Sequence, residues 1–441
     1  MRNVLEMAWP IAAGMIFQTL YLLVDLYFVA ALGDAAIAGV GAAGTILFIV
    51  MAMTQVLGVG AVALISQAVG RKDKADANLI FNQSIVLSAL CAIATLLAGY
   101  TIASAYVGAI TADVAARAQG TTFLYYFLPG LALQFALVTM GSALRGTGIV
   151  KPAMLVQMVT VLLNTALAPI LIAGWLTGKS LGVAGAGLAS TISVAVGVTM
   201  LWLYFVKLER YVAFDHALWR PRLGDWKRIL DVGLPAGGEF ALMFIYMGVV
   251  YFVIGQFGAA AQAGFSIGGR IMQSLFLPAM AIAFAAGPVA GQNYGAGRHD
   301  RVRETLSKTL LLSSLVMILV TLFFQWRPNM LVAAFTNEIE AQEVGADFLR
   351  IISWNFFAQG VVFTCSGIFQ GLGNTRPALL SSAARITLFA PLVLMLSTQP
   401  GFALRHVWYL SVVTVLIQAV ISYLLLQQQF RRRLRLAPSS A

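Results

Sequence analysis

Of the 17 Asp and Glu residues in this chain, only Asp25 and Glu239 lie well inside long apolar runs. An ionisable group in such a run is costly, and by default it faces a polar cavity or pathway where a proton or a cation can be held. Gly14, Gln18, Tyr21 and Asp25 recur at steps of four, three and four, so a helix places them on one face while Ile16, Leu20 and Leu23 point elsewhere. Desolvation favours the neutral acid and hydrogen bonds from Tyr21 favour the carboxylate, a balance that lets a proton bind and leave. A second polar stripe, Gln157, Thr160 and Asn164, makes Asn164 the expected partner of Asp25. Glu239, four residues after Pro235, is expected to bind substrate or ion, or to pair with Arg270. Arg270 and Arg385 are expected to be buried cations, Arg270 also a candidate for substrate binding, and Tyr246, Trp354, Asn355 and Gln359 offer aromatic and amide contacts to a bound compound.

The elements that must position these groups are membrane helices. The chain has 441 residues, 60% of them apolar and 10% charged, and a mean hydropathy of +0.86, far from the composition of a soluble domain. Its apolar runs are mostly long enough, at 1.5 Å rise per residue, to cross a hydrocarbon core of about 30 Å. Strand-type alternation is missing, which favours a helical bundle over a barrel. The net charge of +11 is what cytoplasmic loops of a membrane protein carry and calls for no nucleic acid. Cys91 and Cys365 fall in apolar helices, where core packing is expected rather than a disulfide or a metal site. His216, His299 and His406 are scattered, and neither a metal-spaced cluster nor a nucleophile and base pair points to an enzyme or a cofactor. The first apolar segment contains Asp25 and shows no small-residue cleavage site, so it is expected to stay in the mature protein.

Runs and punctuation predict twelve spans, at 7–32, 37–69, 79–108, 117–144, 152–175, 181–206, 228–257, 260–292, 304–333, 343–370, 378–398 and 404–429. Of the 28 Lys and Arg residues, 21 fall on the side of the two termini and 5 on the other, with Arg270 and Arg385 within spans. That bias predicts cytoplasmic termini in an inner membrane. Residues 1–206 form one six-helix half, 207–227 a cytoplasmic linker, 228–430 a second six-helix half and 431–441 a basic tail. The halves repeat at an offset of 225 residues: Pro10 matches Pro235, Gly33 matches Gly258, Gln67 and Gly70 match Gln292 and Gly295, and Gly146, Gly148 and Pro152 match Gly371, Gly373 and Pro377. An even number of spans per copy predicts parallel repeats around a central cavity, the architecture of carriers that rock one half against the other. Pro10 and Pro235 are the expected hinges, since a helical proline weakens a turn. Pro129, Pro169, Pro278, Pro288 and Pro391 also interrupt spans.

Several segments carry a family resemblance: Gln18-Thr-Leu-Tyr21-Leu-Leu-Val-Asp25, Ile65-Ser-Gln67-Ala-Val-Gly70, Arg145-Gly-Thr-Gly-Ile-Val-Lys-Pro152, Val183-Ala-Gly-Ala-Gly-Leu-Ala-Ser190-Thr191, Gly233-Leu-Pro235, Gly291-Gln-Asn-Tyr-Gly295 and Gln370-Gly-Leu-Gly-Asn-Thr-Arg-Pro377. In order and spacing the chain resembles the multidrug and toxic compound extrusion family of secondary transporters, across nearly its whole length. The resemblance implies that Asp25 couples an ion, that Tyr21 and Gln18 line the cavity, and that Ser190 or Thr191 closes the network around Asn164. Where relatives read Asn-x-x-Leu-Asp-Pro, this chain reads Asn164-Thr-Ala-Leu167-Ala168-Pro169. The missing carboxylate favours a proton over sodium, because sodium needs several oxygens and net negative charge. The glutamate of many relatives lies about one turn beyond Glu239, and under the repeat Glu239 matches Gly14 while Asp25 matches Val250.

These features together predict an antiporter that exports small amphipathic, often cationic, compounds across the lipid bilayer against inward proton flow, working as a monomer with no cofactor. A flippase or exporter of a lipid-linked or endogenous metabolite is the alternative, and a channel stands behind both.

Overall fold

The computed structural model describes residues 2–30, 32–176, 178–209, 211–336 and 338–434, apart from the side chains of 2, 3, 18–26 and 30. All regular structure among them is helical: α1 (Arg2–Ala30), α2 (Asp34–Gly44), α3 (Ile46–Gly70), α4 (Lys74–Ile110), α5 (Val114–Thr147), α6 (Lys151–Ile172), α7 (Val183–Lys207), α8 (Leu223–Gly255), α9 (Ala259–Gly295), α10 (His299–Trp326), α11 (Pro328–Ala333), α12 (Ile339–Ile352), α13 (Phe356–Gly371), α14 (Arg376–Ser397) and α15 (Leu404–Arg433). Among the described residues eleven segments are long and apolar enough to cross a membrane, α2 running on into α3 and α12 into α13. With the 29-residue α1 they fall on the twelve expected spans.

The chain divides into two compact units, one made of Ala13–Gly233 and the other of the segment up to Ala12 together with the chain from Leu234 onward. The division thus falls within α1 and within α8, close to Pro10 and Pro235, which both sit in unbroken helix. In the first unit α8 begins against α3 with almost no room: a Cβ on Gly233 would stand 1.9 Å from the Val56 carbonyl oxygen. The first core gathers around stacked Phe81 and Phe205, ring centroids 4.8 Å apart. The second gathers around Phe265, Phe348 and Trp408, with Phe265 and Trp408 stacked at 5.4 Å.

The repeat holds at the level of the backbone. α3 ends at Gly70 and α9 at Gly295; α4, α5 and α6 start at Lys74, Val114 and Lys151, and α10, α12 and α14 at His299, Ile339 and Arg376, the same offset throughout. Gly33 and Gly258 precede α2 and α9 with φ of 102° and 91°, a conformation open to glycine at little cost. One helix crossing also recurs at backbone contact. A Cβ on Gly39 would lie 2.3 Å from the Ala116 carbonyl oxygen, and one on Gly264 would lie 2.6 Å from that of Ala341.

A shared break in the fourth span shows how the fold handles exposed backbone. Pro129 in α5 has no N–H to give the carbonyl of Tyr125, and Tyr100 on α4 donates its hydroxyl there instead, at 3.0 Å. At the equivalent position of the second unit the helix tightens into a 3₁₀ turn, Ser353–Asn355. There Gln325, the counterpart of Tyr100, donates its amide to the Arg350 carbonyl at 2.7 Å.

The connection between α7 and α8 is held fast to the first unit. Buried Asn82 on α4 donates to the Ala213 carbonyl at 2.9 Å and accepts from the Asp215 amide at 2.9 Å and the Trp219 indole at 3.0 Å. Gln83 donates to the carbonyls of Leu218 and Arg220 and accepts from the Arg222 amide, and Asn78 accepts from the Ala213 amide. Phe214 packs on Phe81 and Phe205, and Arg228 reaches both oxygens of Asp76, at 2.9 and 3.0 Å. The segment expected as a linker is therefore a strap. Asn82→Ala removes three hydrogen bonds to the strap at a cost of about 1–3 kcal/mol, and limited trypsin digestion between residues 207 and 228 should run roughly tenfold faster or more. An unchanged cleavage rate would mean that the aromatic contacts hold the strap by themselves.

Candidate functional site

In the first unit Thr160 and Asn164 of α6 face α7. Thr160 is buried beside Gly197, where a Cβ would stand 2.6 Å from its methyl carbon, and one turn on Asn164 is fully buried. Its Nδ2 donates to the Ser190 hydroxyl at 3.3 Å, whereas Oδ1 is buried with no donor among the described residues. Ala168, one further turn along the same face, is also fully buried. The backbone of Gln18, Tyr21 and Asp25 is helical within α1, and their side chains lie outside the described residues. Among the described residues the site thus contains a buried amide acceptor that can take one more donor or a cation.

Ser190 and Thr191 serve different neighbours. Ser190 reaches Asn164, while the Thr191 hydroxyl accepts from the Gly130 amide at 3.1 Å and donates to the Tyr126 carbonyl at 2.7 Å. It stands between two groups that an unbroken turn pairs directly, one residue beyond Pro129. Of the two hydroxyls considered for the Asn164 network, the one bonded to it is Ser190, because Thr191 is spent on the break in α5.

In the second unit Glu239 is half-buried on α8 and accepts from Ser366 of α13 at 3.0 Å and from Ser382 of α14. Ser382 in turn accepts from Gln418 of α15 at 3.1 Å, and Gln418 Oε1 is buried without a partner among the described residues. The acid is therefore met by hydroxyls and not, as one reading expected, by Arg270. Arg270 was expected to be buried and is exposed on α9, since α9 turns its small residues, such as Gly264 and Gly268, toward α12. Tyr246, two turns beyond Glu239, donates to or accepts from Ser411 at 2.8 Å and lies under the guanidinium of Arg385, whose Cζ is 4.1 Å from the ring centroid. Trp354 is 64% exposed on the 3₁₀ turn, Asn355 is buried with no partner for its Oδ1 among the described residues, and Gln359 is half-buried one turn on.

Ser366, Ser382, Ser411 and Gln418 were missed as partners. Gln418 and Ser411 stand seven apart in an apolar run, and Ser382 and Arg385 stand three apart, a helical spacing that marks polar faces but does not say which helices meet. Among the described residues no group of His, Cys, Asp and Glu could hold a metal ion.

Comparisons with known proteins place this architecture. The MatE family model matches twice, over residues 10–170 and 235–395. The probable multidrug resistance protein NorM of Thermotoga maritima is 26% identical over 385 residues, covering 86% of this chain and 82% of that protein. The multidrug export protein MepA of Staphylococcus aureus is 24% identical over 409 residues, covering 91% and 88%. A crystal structure of a MATE protein in the bent conformation superposes with a TM-score of 0.92 at 23% identity, covering 98% of this chain and 95% of that chain. A MOP-superfamily transporter from Pyrococcus furiosus superposes with a TM-score of 0.91 at 24% identity, covering 98% and 96%. At these identities the structures establish the shared fold of two repeated halves.

The serine cradle makes a prediction for stability. Replacing Ser366 and Ser382 together by Ala removes both donors to Glu239 and should cost about 1–3 kcal/mol, read as a lower thermal midpoint in detergent. Adding Glu239→Gln should recover part of the loss, because a neutral amide suffers less without donors; a further drop would show that the carboxylate is satisfied elsewhere.

Proposed function

Because the chain belongs to the MatE family of membrane transporters, we propose that it is a secondary active antiporter that exports amphipathic, often cationic, organic compounds, driven by inward proton flow. The names of its relatives support export of drug-like molecules. The observation that carries the ion choice is the face of α6: a buried Asn164 whose Oδ1 has no donor among the described residues, and Ala168 where a second carboxylate would stand. A protonated Asp25 would supply a donor to Asn164 Oδ1, and deprotonation would withdraw it. A sodium ion would find amide and hydroxyl oxygens there but little negative charge, which suits a hard cation poorly.

In this reading Asp25 takes the proton from the outer side and releases it to the inner one, and the compound moves the opposite way as the protein opens alternately to each. Pro10 and Pro235, in equivalent helices at the borders of the compact units, are the bending points. The charge bias puts both termini in the cytoplasm of an inner-membrane protein, and one chain carries both halves, so a monomer suffices.

Efflux from proteoliposomes with pH and sodium gradients imposed separately tests this. A pH gradient alone should drive export, and replacing sodium by choline at fixed pH should leave the rate within about twofold, since a charge-poor site gains little from the metal. A sodium requirement would sink the proton reading. Asp25→Asn should lower gradient-driven export to background, at least roughly a hundredfold, because the coupling group no longer titrates, with the protein still monodisperse; undiminished export would remove Asp25 from the mechanism.

A further inference from the structure

Arg385 is a cation within the apolar helix α14, and among the described residues it forms no ion pair. Other cations with an acid within reach use it: Arg228 and Arg71 meet Asp76, Lys308 meets Glu304, and Arg405 meets Asp347. Glu239, the acid in the neighbouring layer, is occupied by Ser366 and Ser382. Arg385 instead lies over the Tyr246 ring, with its Nε buried and without an acceptor among the described residues. The ring is itself fixed, by the 2.8 Å hydroxyl contact with Ser411 and by Phe389, whose centroid is 4.8 Å away.

An aromatic face attracts a guanidinium but supplies no hydrogen-bond acceptor. A membrane-embedded cation held in this way lacks a counter-charge, and such a group marks a binding function. The helices add a geometry. On α14 Arg385 is three residues beyond Ser382, about 4.5 Å of rise, and on α8 Tyr246 is seven beyond Glu239, about 10 Å. On α15 Ser411 and Gln418 are likewise seven apart, so α8, α14 and α15 carry two successive polar layers. One is acidic (Glu239, Ser382, Gln418) and one basic (Tyr246, Arg385, Ser411), with no bond between the acid and the base.

We propose that Arg385, seated on Tyr246, is an anion-recognition point, and that the compounds exported are zwitterionic aromatic amphiphiles whose carboxylate it binds, not simple lipophilic cations. The planar fork of a guanidinium matches a carboxylate in two parallel hydrogen bonds. Tyr246, half-buried, presents aromatic surface beside it, and Glu239 is one layer away for an amine. The proposal rests on the export reading above and narrows its substrate class.

The test compares two dyes that differ in one group, a rhodamine with a free benzoate carboxylate and its methyl ester, by fluorescence polarisation on the purified full-length protein. The native protein should bind the acid at least as tightly as the ester. Arg385→Gln should weaken the acid roughly tenfold or more and the ester less than about twofold, while Arg385→Lys, which keeps the charge but loses the fork, should bind the acid between the native protein and Arg385→Gln and leave the ester within about twofold. Arg385→Met, close in volume, carries the same comparison in place of a glutamine variant that does not fold. Equal loss of both dyes, or loss of neither, would make Arg385 a packing residue. A native protein that binds the ester and not the acid overturns the anion point while the export reading stands; one that binds neither dye overturns both.

Discussion

A backbone carbonyl or a charged side chain surrounded by apolar helices has no water to bond and must find its partner inside the protein. That constraint organises the described structure. Pro129 frees the Tyr125 carbonyl, and Tyr100 is there to bond it. The turn beside it is bridged by Thr191. Glu239 is cradled by hydroxyls from two helices, and a third helix supports one of those hydroxyls through Gln418. Because each such pairing joins different helices, satisfying polar groups also sets which helices meet. Among the described residues some buried groups are left over, and Asn164 Oδ1, Asn355 Oδ1 and Arg385 Nε among them belong to residues that polarity within apolar runs singles out.

The two units show what duplication keeps and what it releases. Backbone events survive at the same offset: a glycine with positive φ before the second span, a glycine-mediated crossing, a break in the fourth span and a side chain from the third that covers the exposed carbonyl. The chemistry of the side chains has drifted. Tyr100 and Gln325 donate to equivalent carbonyls with different groups. Asn82, which clamps the strap in the first unit, has Ser307 as its counterpart, and Ser307 bonds within its own helix, to the Arg303 carbonyl. The strap follows α7, and the clamp belongs to the unit that has a connection to hold. Geometry that many contacts share is hard to change, whereas a single side chain can be replaced wherever another donor fits.

How much of this was legible in the sequence follows from the range of each signal. Span positions, the repeat and the isolated acids are properties of local runs and of self-comparison, and they needed no neighbours. Asn164 stood out because an amide in an apolar helix is conspicuous. The choice of Ser190 over Thr191 could not be read, since adjacent residues on a helix point about 100° apart and only the position of α5 says which one it claims. Arg270 and Arg385 looked alike as cations inside spans. One is exposed and the other is stacked on Tyr246, a difference set by how α9 and α14 are rotated.

The sequence by itself determined that this is a twice-repeated bundle of membrane helices with two unequal acids, because hydropathy, length and periodicity act through bilayer thickness and helix pitch alone. Only the tertiary structure decided which hydroxyls meet Glu239 and Asn164, that the linker is strapped to the first unit, and that Arg385 rests on an aromatic ring. These are contacts between residues far apart in the chain, and their energies depend on distances and burial that exist once the helices have packed.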